Sequence, residues 1–449
     1  MDIEFSYGKK ALSISVPDEN VLVAAEPKRV PPIEDERAEV VRALENPIGT
    51  KRISEIAGPG KKVALIVDDD DRPKVSTHII APIVLEELEQ HGVRREDITI
   101  VVAYGSRIRR RPIQVVNSKI GKYLLDNYKV VHHECDDLKK QKFYGYSSMG
   151  TPIWINRAVA EADLKIGIGM IKASFMGGFS GGSKIVVPGI AGRWTIHHNH
   201  ARCFSSDNLV GSTEGPVTKD RNDIARRIGL TMKVDYIPDN TTIDEETGIL
   251  TTGLVRVFAG DVVEEWKEAV KAFNEIYGVK VPRKADILIT SPGIDNSNTL
   301  DGFAVWNTIP CTAQLVKPGG SIIYANPCYN KYTRADFEII SQYRDKTSVE
   351  EFAWQVYTKI HAMGGVGFFS SLGLWGDLLF YRIRVNHNFF VVPEGLTEDE
   401  CRYLGFNYAE SIEEALQEAL KKQGDKAKVT IISNLARHTM PVPFNPPSS

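Results

Sequence analysis

The chain has 449 residues, of which 42% are hydrophobic and 25% charged, and its formal net charge at pH 7 is −3. This length favours two domains over one, and the small net charge argues against a partner that is a nucleic acid or a membrane, leaving a small molecule. Five widely spaced cysteines without a C-x-x-C pair, and the lack of any run of about 18 apolar residues, indicate a cytoplasmic protein with free thiols.

The first half of the chain alternates predicted strands and helices. Strands at residues 2–7 and 12–16 precede a Pro-rich connection that enters a helix near Pro32, and a further helix is predicted at 78–91. A short continuous apolar run predicts a strand buried on both faces at 63–67, and further strands are predicted at 98–103, 129–132 and 164–169. This rhythm predicts a mostly parallel sheet, whose functional loops lie at the carboxyl ends of the strands. The residues found at those ends are Asp69, Arg72, Arg107 and Lys172.

A second α/β unit follows an amphipathic helix at 261–277 and a linker at 279–284. Its predicted helix spans 299–316, followed by a turn at 318–320. Its predicted strands are 287–290, 321–325, 389–392 and 429–432. The sequence therefore predicts an α/β protein with two Rossmann-like domains, mostly parallel sheets and an interdomain cleft. The predicted boundaries are 1–278 for the N-terminal cofactor-binding domain, 285–440 for the C-terminal domain and 441–449 for a disordered tail.

The most distinctive motif is the glycine-rich loop 177–184, which reads Gly-Gly-Phe-Ser-Gly-Gly-Ser-Lys. Glycines allow backbone N–H groups to approach a phosphate closely, and Lys184 adds a point charge or a nucleophilic amine. A Walker loop needs its lysine directly after the last glycine and a hydroxyl residue next. Here Ser183 intervenes and Ile185 follows, which counts against a nucleotide hydrolase. A tight structural turn is the other alternative.

Two histidine-containing segments are possible metal sites. His197, His198 and His200 offer nitrogen ligands for nickel, zinc or copper, but neighbours on a helix point apart, so one ligand or two is realistic. A surface or core histidine cluster is the alternative reading. The second segment, 132–137, contains contiguous His, Glu, Cys and Asp residues. Adjacent side chains on extended backbone diverge, so this segment is interpreted as structural.

The loop and the histidine downstream of it resemble the nickel-pincer nucleotide-dependent lactate racemase family, which has a GFSGG-x-K loop followed by a metal-binding histidine. Residues 155–169, 188–192, 69–73 and 316–320 are similar to further family segments. The resemblance implies a nickel-pincer nucleotide held covalently by Lys184, with His200 as the nickel ligand. It assigns to the cofactor-binding loop Gly178, Ser180, Gly181 and Gly182. It also implies cofactor maturation proteins as partners, and reversible hydride transfer at the hydroxyl-bearing carbon of a 2-hydroxy acid.

The chain departs from the family at both acid–base histidines. Arg107 and Ser174 stand at those positions. Arginine stays protonated at pH 7 and serine is a poor base, so the two-histidine mechanism cannot be transferred. Lys172 could replace them if burial depresses its pKa, and Asp69 or Tyr104 are alternatives. An exposed, solvated Lys172 without a catalytic role is the competing reading.

The substrate-binding positions depart as well. Ala304 and Asn307 stand where the family has a carboxylate-binding glutamine and lysine, and Phe303 where a tyrosine is common. Positive charge is concentrated instead at Arg72, Arg107, Arg109, Arg110 and Lys172, suited to carboxylate or phosphate, although the run 109–111 is typical of a solvated face. We therefore expect a racemase or epimerase of a 2-hydroxy acid other than lactate, such as a sugar acid, dicarboxylate or phosphorylated acid. Another hydride-transfer reaction on an alcohol with the same cofactor, and a non-catalytic cofactor-binding homologue, stay open.

Overall fold

The computed structural model describes residues 1–7, 10–25, 28–68, 76–106, 122–174, 177–205, 207, 210–241, 253–291, 309–329, 383–433 and 440–442. The chain forms two compact units. We call Arg29–Lys172 together with Met176–Glu275 the middle unit. The remaining segments, which are Met1–Lys28, Ala173–Phe175 and Ile276–Ser449, form the end unit.

The described strands are β1 (Asp2–Tyr7), β2 (Lys10–Ser15), β3 (Val21–Ala25), β4 (Val63–Asp68), β5 (Ile98–Ala103), β6 (Lys129–His132), β7 (Gln141–Tyr146), β8 (Pro152–Asn156), β9 (Leu164–Met170), β10 (Ala173–Ser174), β11 (Gly178–Phe179), β12 (Met232–Pro238), β13 (Leu254–Gly260), β14 (Gly278–Lys280), β15 (Ala285–Thr290), β16 (Val316–Ala325), β17 (Asn388–Val392), β18 (Asn407–Tyr408), β19 (Val429–Ile432) and β20 (Met440–Val442). The described helices are α1 (Glu36–Glu45), α2 (Ile53–Ile56), α3 (Thr77–Gln90), α4 (Lys122–Asn127), α5 (Arg157–Ala160), α6 (Arg193–His200), α7 (Pro216–Arg227), α8 (Glu264–Tyr277), α9 (Ile309–Thr312), α10 (Glu398–Leu404) and α11 (Ile412–Gln423). No described helix has both the length and the apolar character needed to cross a bilayer.

The middle unit is built on a six-stranded sheet in the order β13-β12-β9-β4-β5-β6. All neighbours in it are parallel except the edge pair β12 and β13. Every residue of β9 is buried, and so is β4 up to its last residue, because hydrophobic clusters cover both faces of the sheet. The strands predicted at 63–67, 98–103, 129–132 and 164–169 are therefore confirmed, and 63–67 is buried as expected, whereas the edge strand β6 is only partly buried. Parallel pairing brings the carboxyl ends of β4, β5 and β9 to one edge.

The end unit contains a second six-stranded sheet, in the order β18-β17-β16-β15-β19-β3, and all its pairs are parallel. Its β3 comes from the first residues of the chain. Tyr7, Ile14 and Val16 are buried with Ile287 and Ile431 in the same hydrophobic cluster. Residues 1–28 therefore pack with the C-terminal sheet, unlike the predicted domain 1–278. Strands β3 and β19 are about 400 residues apart in the chain, and the local pattern of polar and apolar residues cannot predict that they pair.

Other boundaries also differ from the prediction. The predicted linker at 279–284 begins inside β14, which pairs with β20, so the chain is still in a strand at residues 441 and 442. Residues 443–449 lie outside the described range. Strand β16 begins at Val316 and includes the predicted turn at 318–320, where Gly319 has a φ angle of 78°. Of the predicted helix 299–316, the residues up to 308 lie outside the described range. The described remainder contains α9 and a short 3-10 turn, Ala313–Leu315.

Candidate active site

A pocket opens at the carboxyl edge of the middle unit's sheet, where parallel α/β sheets place their ligand sites. Its lining includes the ends of three strands and the glycine-rich loop. Among these residues are Asp68, Tyr104, Met170, Gly181, Lys184 and Lys233. The space amounts to about 560 Å³, including the part open to solvent.

The glycine-rich loop passes so close to its neighbours that side chains would not fit. Gly181 and Gly182 have positive φ angles of 77° and 49°. A Cβ atom on Gly182 would lie 2.7 Å from Cγ of Trp266, and one on Gly181 would lie 2.9 Å from Oδ2 of Asp235. Trp266 Nε1–H donates a hydrogen bond to the carbonyl oxygen of Ser180 at 2.9 Å. The loop is therefore held against helix α8 and strand β12.

Polar groups of the loop are used to hold it in place. The Ser180 N–H donates to the Lys172 carbonyl at 2.8 Å, and the Gly182 N–H donates to Asp235 Oδ2 at 2.6 Å. The Ser180 hydroxyl donates to the Met170 carbonyl at 2.6 Å and accepts from the Lys172 N–H at 2.9 Å. These amides are thus not directed at a phosphate, in contrast to the expectation from the glycine pattern.

The four predicted loop residues have two kinds of position. Ser180 and Gly181 line the pocket. Gly178 and Gly182 instead determine the path of the backbone, since a Cβ atom on Gly178 would lie 1.8 Å from the carbonyl oxygen of Ser212. Their contribution to a ligand site is the shape of the loop that presents Lys184.

A buried ionic cluster lies beneath the loop. Lys233 and Asp235 are fully buried and form an ion pair, and Lys233 Nζ also donates to the Val234 carbonyl at 3.1 Å. Burial, reinforced by the neighbouring Asp235 carboxylate, raises the pKa of the fully buried Glu265 well above its usual range. Burial lowers the pKa of Arg221 to about 10, so its guanidinium remains charged at neutral pH. The cluster fixes the position of Gly182 through Asp235.

The sequence pattern did not identify this cluster. Residues 232–236 read Met-Lys-Val-Asp-Tyr, an alternation that predicts a strand with one solvated face. Every residue of β12 is buried, because the glycine-rich loop and α8 cover the polar face. The local alternation of polar and apolar residues does not show whether another element covers the polar face of a strand.

Lys184 and His200 lie within electrostatic range of each other. Lys184 is half-buried on the pocket wall, in the 3-10 turn Gly182–Ile185. His200 ends helix α6 and is 5% exposed. The pKa of His200 is lowered to about 3, mainly by burial and to a smaller extent by the charges of Lys184, His197 and Arg221. The imidazole is therefore neutral at pH 7, which is the form that binds a metal.

His198, a neighbour in the histidine run, contacts the backbone of its own helix. It is half-buried, and its Nδ1 lies 2.8 Å from the carbonyl oxygen of Trp194. Within the described residues, no three or more His, Cys, Asp or Glu side chains are grouped closely enough to hold a metal ion. His200 is thus a candidate for a single protein ligand to a metal.

Tyr104 is a pocket-lining residue that makes a contact unforeseen from the sequence. It is 5% exposed, and its Oη lies 3.1 Å from Nδ1 of His132, at the end of the neighbouring strand β6. His132 belongs to the segment 132–137, all of which was predicted from the sequence to have a structural role. Parallel pairing of β5 and β6 brings the two side chains together.

Other side chains of the segment 132–137 do have the structural role that was predicted. His133 is buried, and its Nε2 lies 3.0 Å from the Ala191 carbonyl oxygen. Burial lowers the pKa of His133 to about 4. Asp136 accepts a hydrogen bond from Arg193 Nε at 2.6 Å, and this contact lowers the pKa of its carboxyl group.

The predicted catalytic residues are only partly described. Lys172 is half-buried and Ser174 is buried in β10. Asp69, Arg72 and Arg107 lie outside the described residues, although Asp68, directly before Asp69, lines the pocket.

Comparison with known proteins shows to which family the chain belongs. The model of the lactate racemase N-terminal domain matches residues 7–211, and that of the lactate racemase C-terminal domain matches residues 283–436. The chain belongs to the lactate racemase family. The resemblance inferred from the glycine-rich loop and its flanks is thereby confirmed.

Relatives in this family match nearly the whole chain. The lactate racemase of Thermoanaerobacterium thermosaccharolyticum is 27% identical, covering 96% of this chain and 97% of its own length. The lactate racemase of Lactiplantibacillus plantarum is 28% identical over the same shares of the two chains. The structure of the Thermoanaerobacterium thermosaccharolyticum lactate racemase apoprotein superposes with a TM-score of 0.78 at 26% identity, covering 98% of this chain and 99% of that one. A Thermotoga maritima protein, 17% identical with a TM-score of 0.52 and covering 85% and 93% of the two chains, shares the fold.

Proposed function

We propose that this member of the lactate racemase family is a nickel-pincer nucleotide-dependent racemase or epimerase of a 2-hydroxy acid other than lactate. The observation that carries the proposal is the pairing of Lys184, on the wall of the pocket, with the buried, neutral His200 close to it. A lysine that forms a covalent bond and a histidine that completes a metal's coordination are the two attachments this cofactor needs.

The residues present fit the group. Lys184 would hold the cofactor through Nζ, and His200 would bind nickel through its free ring nitrogen. The loop is rigidly supported by Trp266 and Asp235, so Lys184 is positioned before any cofactor arrives. When bound, the cofactor supplies a site that accepts a hydride from the alcohol carbon and returns it to either face.

Tyr104 and His132 are the pair that we propose to move the hydroxyl proton. The substrate hydroxyl passes its proton to Tyr104 Oη while Tyr104 passes its own to His132 Nδ1, and return of hydride reverses both transfers. The 3.1 Å contact and the position of Tyr104 on the pocket wall support this role. Lys172 and Asp69 are the competing candidates for this proton transfer. Of the other predicted site residues, Arg72 and Arg107 are proposed to bind anionic groups of the substrate, and Ser174 is a poor base.

The substrate is proposed to be larger or more highly charged than lactate. The two family histidines are replaced by Arg107 and Ser174, and the carboxylate-binding glutamine and lysine by Ala304 and Asn307. Additional arginines near the strand ends favour bidentate binding of a second carboxylate or a phosphate. A sugar acid, a dicarboxylate or a phosphorylated hydroxy acid meets this description.

Cofactor attachment is tested on protein produced together with cofactor maturation proteins. Intact mass and nickel content are measured for the wild type, for Lys184→Ala and for Lys219→Ala, whose side chain is on the exposed face of α7. We expect added mass and about one nickel per chain in the wild type and in Lys219→Ala, and neither in Lys184→Ala. Retention of both by Lys184→Ala would refute the anchor.

The reaction is tested on the loaded protein with single stereoisomers of lactate, sugar acids, dicarboxylates and phosphorylated hydroxy acids carrying deuterium at the hydroxyl-bearing carbon. We expect the configuration to scramble with deuterium retained, for an acid other than lactate. A released keto acid would indicate a different hydride-transfer reaction. No turnover by nickel-loaded protein would favour a cofactor-binding homologue, and lactate turnover alone would refute the substrate proposal.

A further inference from the structure

A chain of buried hydrogen bonds ends at His200. Nδ1 of His200 lies 3.1 Å from Oδ1 of Asn199. The Asn199 amide nitrogen donates to the carbonyl oxygen of Val217 at 3.0 Å and to Oδ2 of Asp220 at 2.9 Å. Asn199 and Asp220 are fully buried, and His200 is 5% exposed. Solvent therefore does not replace these partners.

The two acceptors fix the orientation of the Asn199 amide. A carbonyl and a carboxylate can only accept hydrogen bonds, so both must face the NH₂ group. The reversed amide would place its oxygen against two acceptors and leave its donors without them, which is costly in a buried site. Oδ1 of Asn199 is therefore the atom that faces His200.

The acceptor Asp220 is itself held from several elements. Its carboxylate accepts hydrogen bonds from the hydroxyl of Ser147 at 2.5 Å and from that of Thr151 at 2.8 Å, and Nε of Arg202 lies 4.0 Å away. Ser147 and Thr151 belong to the turn between β7 and β8, and Arg202 follows helix α6. The carboxylate cannot turn away from Asn199 without breaking them.

We propose that Asn199 is a positioning residue that sets the tautomer of His200. Because Oδ1 of Asn199 can only accept, His200 Nδ1 carries the ring proton and Nε2 keeps its lone pair as the metal-binding atom. Metal-binding histidines are commonly oriented by such a partner on the other ring nitrogen. The metal's identity rests on the proposed function, whereas the tautomer is a property of the cofactor-free protein.

The tautomer is measured on cofactor-free protein labelled with ¹⁵N-histidine, by long-range ¹H–¹⁵N correlation spectra at pH 7. The His200 signals are assigned by their loss in His200→Gln. We expect the Nδ1–H form in the wild type. Asn199→Leu removes the acceptor at similar size, and we expect the Nε2–H form to appear. Thr151→Val loosens the same network but keeps both acceptors of the Asn199 amide, so it should retain the wild-type tautomer.

Nickel retention gives a second readout on loaded protein. We expect Asn199→Leu to bind nickel roughly 10- to 100-fold more weakly than the wild type or Thr151→Val, the usual effect on metal affinity of removing such a partner. An Nε2–H tautomer in the wild type, or an unchanged tautomer in Asn199→Leu, would overturn the proposal. Failure of the wild type to acquire nickel would refute the proposed function and leave the tautomer result standing.

Discussion

At the residue scale, the replacement of both family histidines makes Tyr104 the most informative side chain. If its hydroxyl moves the substrate proton, Tyr104→Phe should lower kcat by about 100-fold or more, the usual contribution of a general acid–base group. The variant is assayed as nickel-loaded protein with the substrate found in the stereoisomer screen. Nickel content and the mass added by the cofactor should equal those of the wild type, because Lys184 and His200 are unaltered.

A matched tyrosine provides the control. The Tyr144 hydroxyl donates to the Ala160 carbonyl at 3.0 Å and is not part of the pocket lining, so Tyr144→Phe should retain kcat. His132→Gln should shift the pH dependence of kcat, since it removes the group that receives the Tyr104 proton. Wild-type kcat in Tyr104→Phe would exclude the tyrosine and return attention to Lys172 and Asp69.

Glu265 links the buried cluster to the pH dependence of stability. Its pKa is raised in the folded state, so the folded protein binds this proton more tightly than the unfolded chain. The neutral carboxyl costs no stability below the unfolded pKa near 4.5, and stability is lost as pH rises from there toward the folded pKa. Glu265→Gln imitates the protonated form. The variant should therefore unfold at a higher urea concentration than the wild type at pH 8, with little difference at pH 4.5.

Glu268→Gln serves as the comparison, because Glu268 is exposed on the same helix. Urea midpoints are measured for the three proteins between pH 4.5 and 8. The gain of Glu265→Gln should grow with pH while that of Glu268→Gln stays near zero. A gain that is independent of pH would contradict a raised pKa for Glu265.

At the scale of elements, the glycine-rich loop depends on its contact with helix α8. Gly182→Ala combines a left-handed backbone, φ 49°, with a Cβ atom 2.7 Å from Trp266 Cγ. Backbone strain costs about 1–2 kcal/mol and overpacking about 1–3 kcal/mol. We therefore expect a loss of about 2–5 kcal/mol in the free energy of unfolding, measured by urea denaturation, and weaker loading of Lys184.

Gly229 separates the two causes. It also has a positive φ, 70°, but a Cβ atom there meets nothing within 4 Å. Gly229→Ala should lose only the strain, about 1–2 kcal/mol, and load cofactor normally. Equal losses in both variants would mean that the packing against Trp266 contributes nothing.

The strands and helices also show how much of the fold could be predicted from the sequence. Apolar runs gave β4, β5 and β9 within a residue or so, since strands covered on both faces need such runs, and the edge strand β6 was also predicted with its observed bounds. Lys184 and His200 were predicted as anchor and metal ligand from a motif and its resemblance to the family, and these roles stay a prediction. Strand β12 was not among the predicted strands, and the burial of its polar face could not be predicted, because a covered polar face looks the same in sequence as a solvated one. The contact between Tyr104 and His132 depends on strand pairing, which local patterns do not encode.

At the scale of the whole molecule, the least predictable feature is the attachment of the N-terminal residues to the C-terminal sheet. Strand β3 pairs with β19, and the Tyr7 hydroxyl donates to the Val392 carbonyl at 2.9 Å. Chain order suggested that residues 1–28 belong with the sheet that follows them. The segment joins a sheet more than 250 residues away because its apolar side chains complete that sheet's hydrophobic cluster.

A cavity in this cluster should destabilise the end unit selectively. Ile14 is 1% exposed, and truncating such a side chain to alanine costs about 2–5 kcal/mol. Hydrogen exchange followed by mass spectrometry should show faster exchange for Ile14→Ala in peptides covering Val429–Ile432 and Asn388–Val392, with Val63–Asp68 unchanged. Ser13→Ala, at an exposed position of the same strand, should exchange like the wild type. If residues 1–28 instead packed with the middle unit, as the predicted boundary 1–278 implies, the faster exchange would appear in Val63–Asp68.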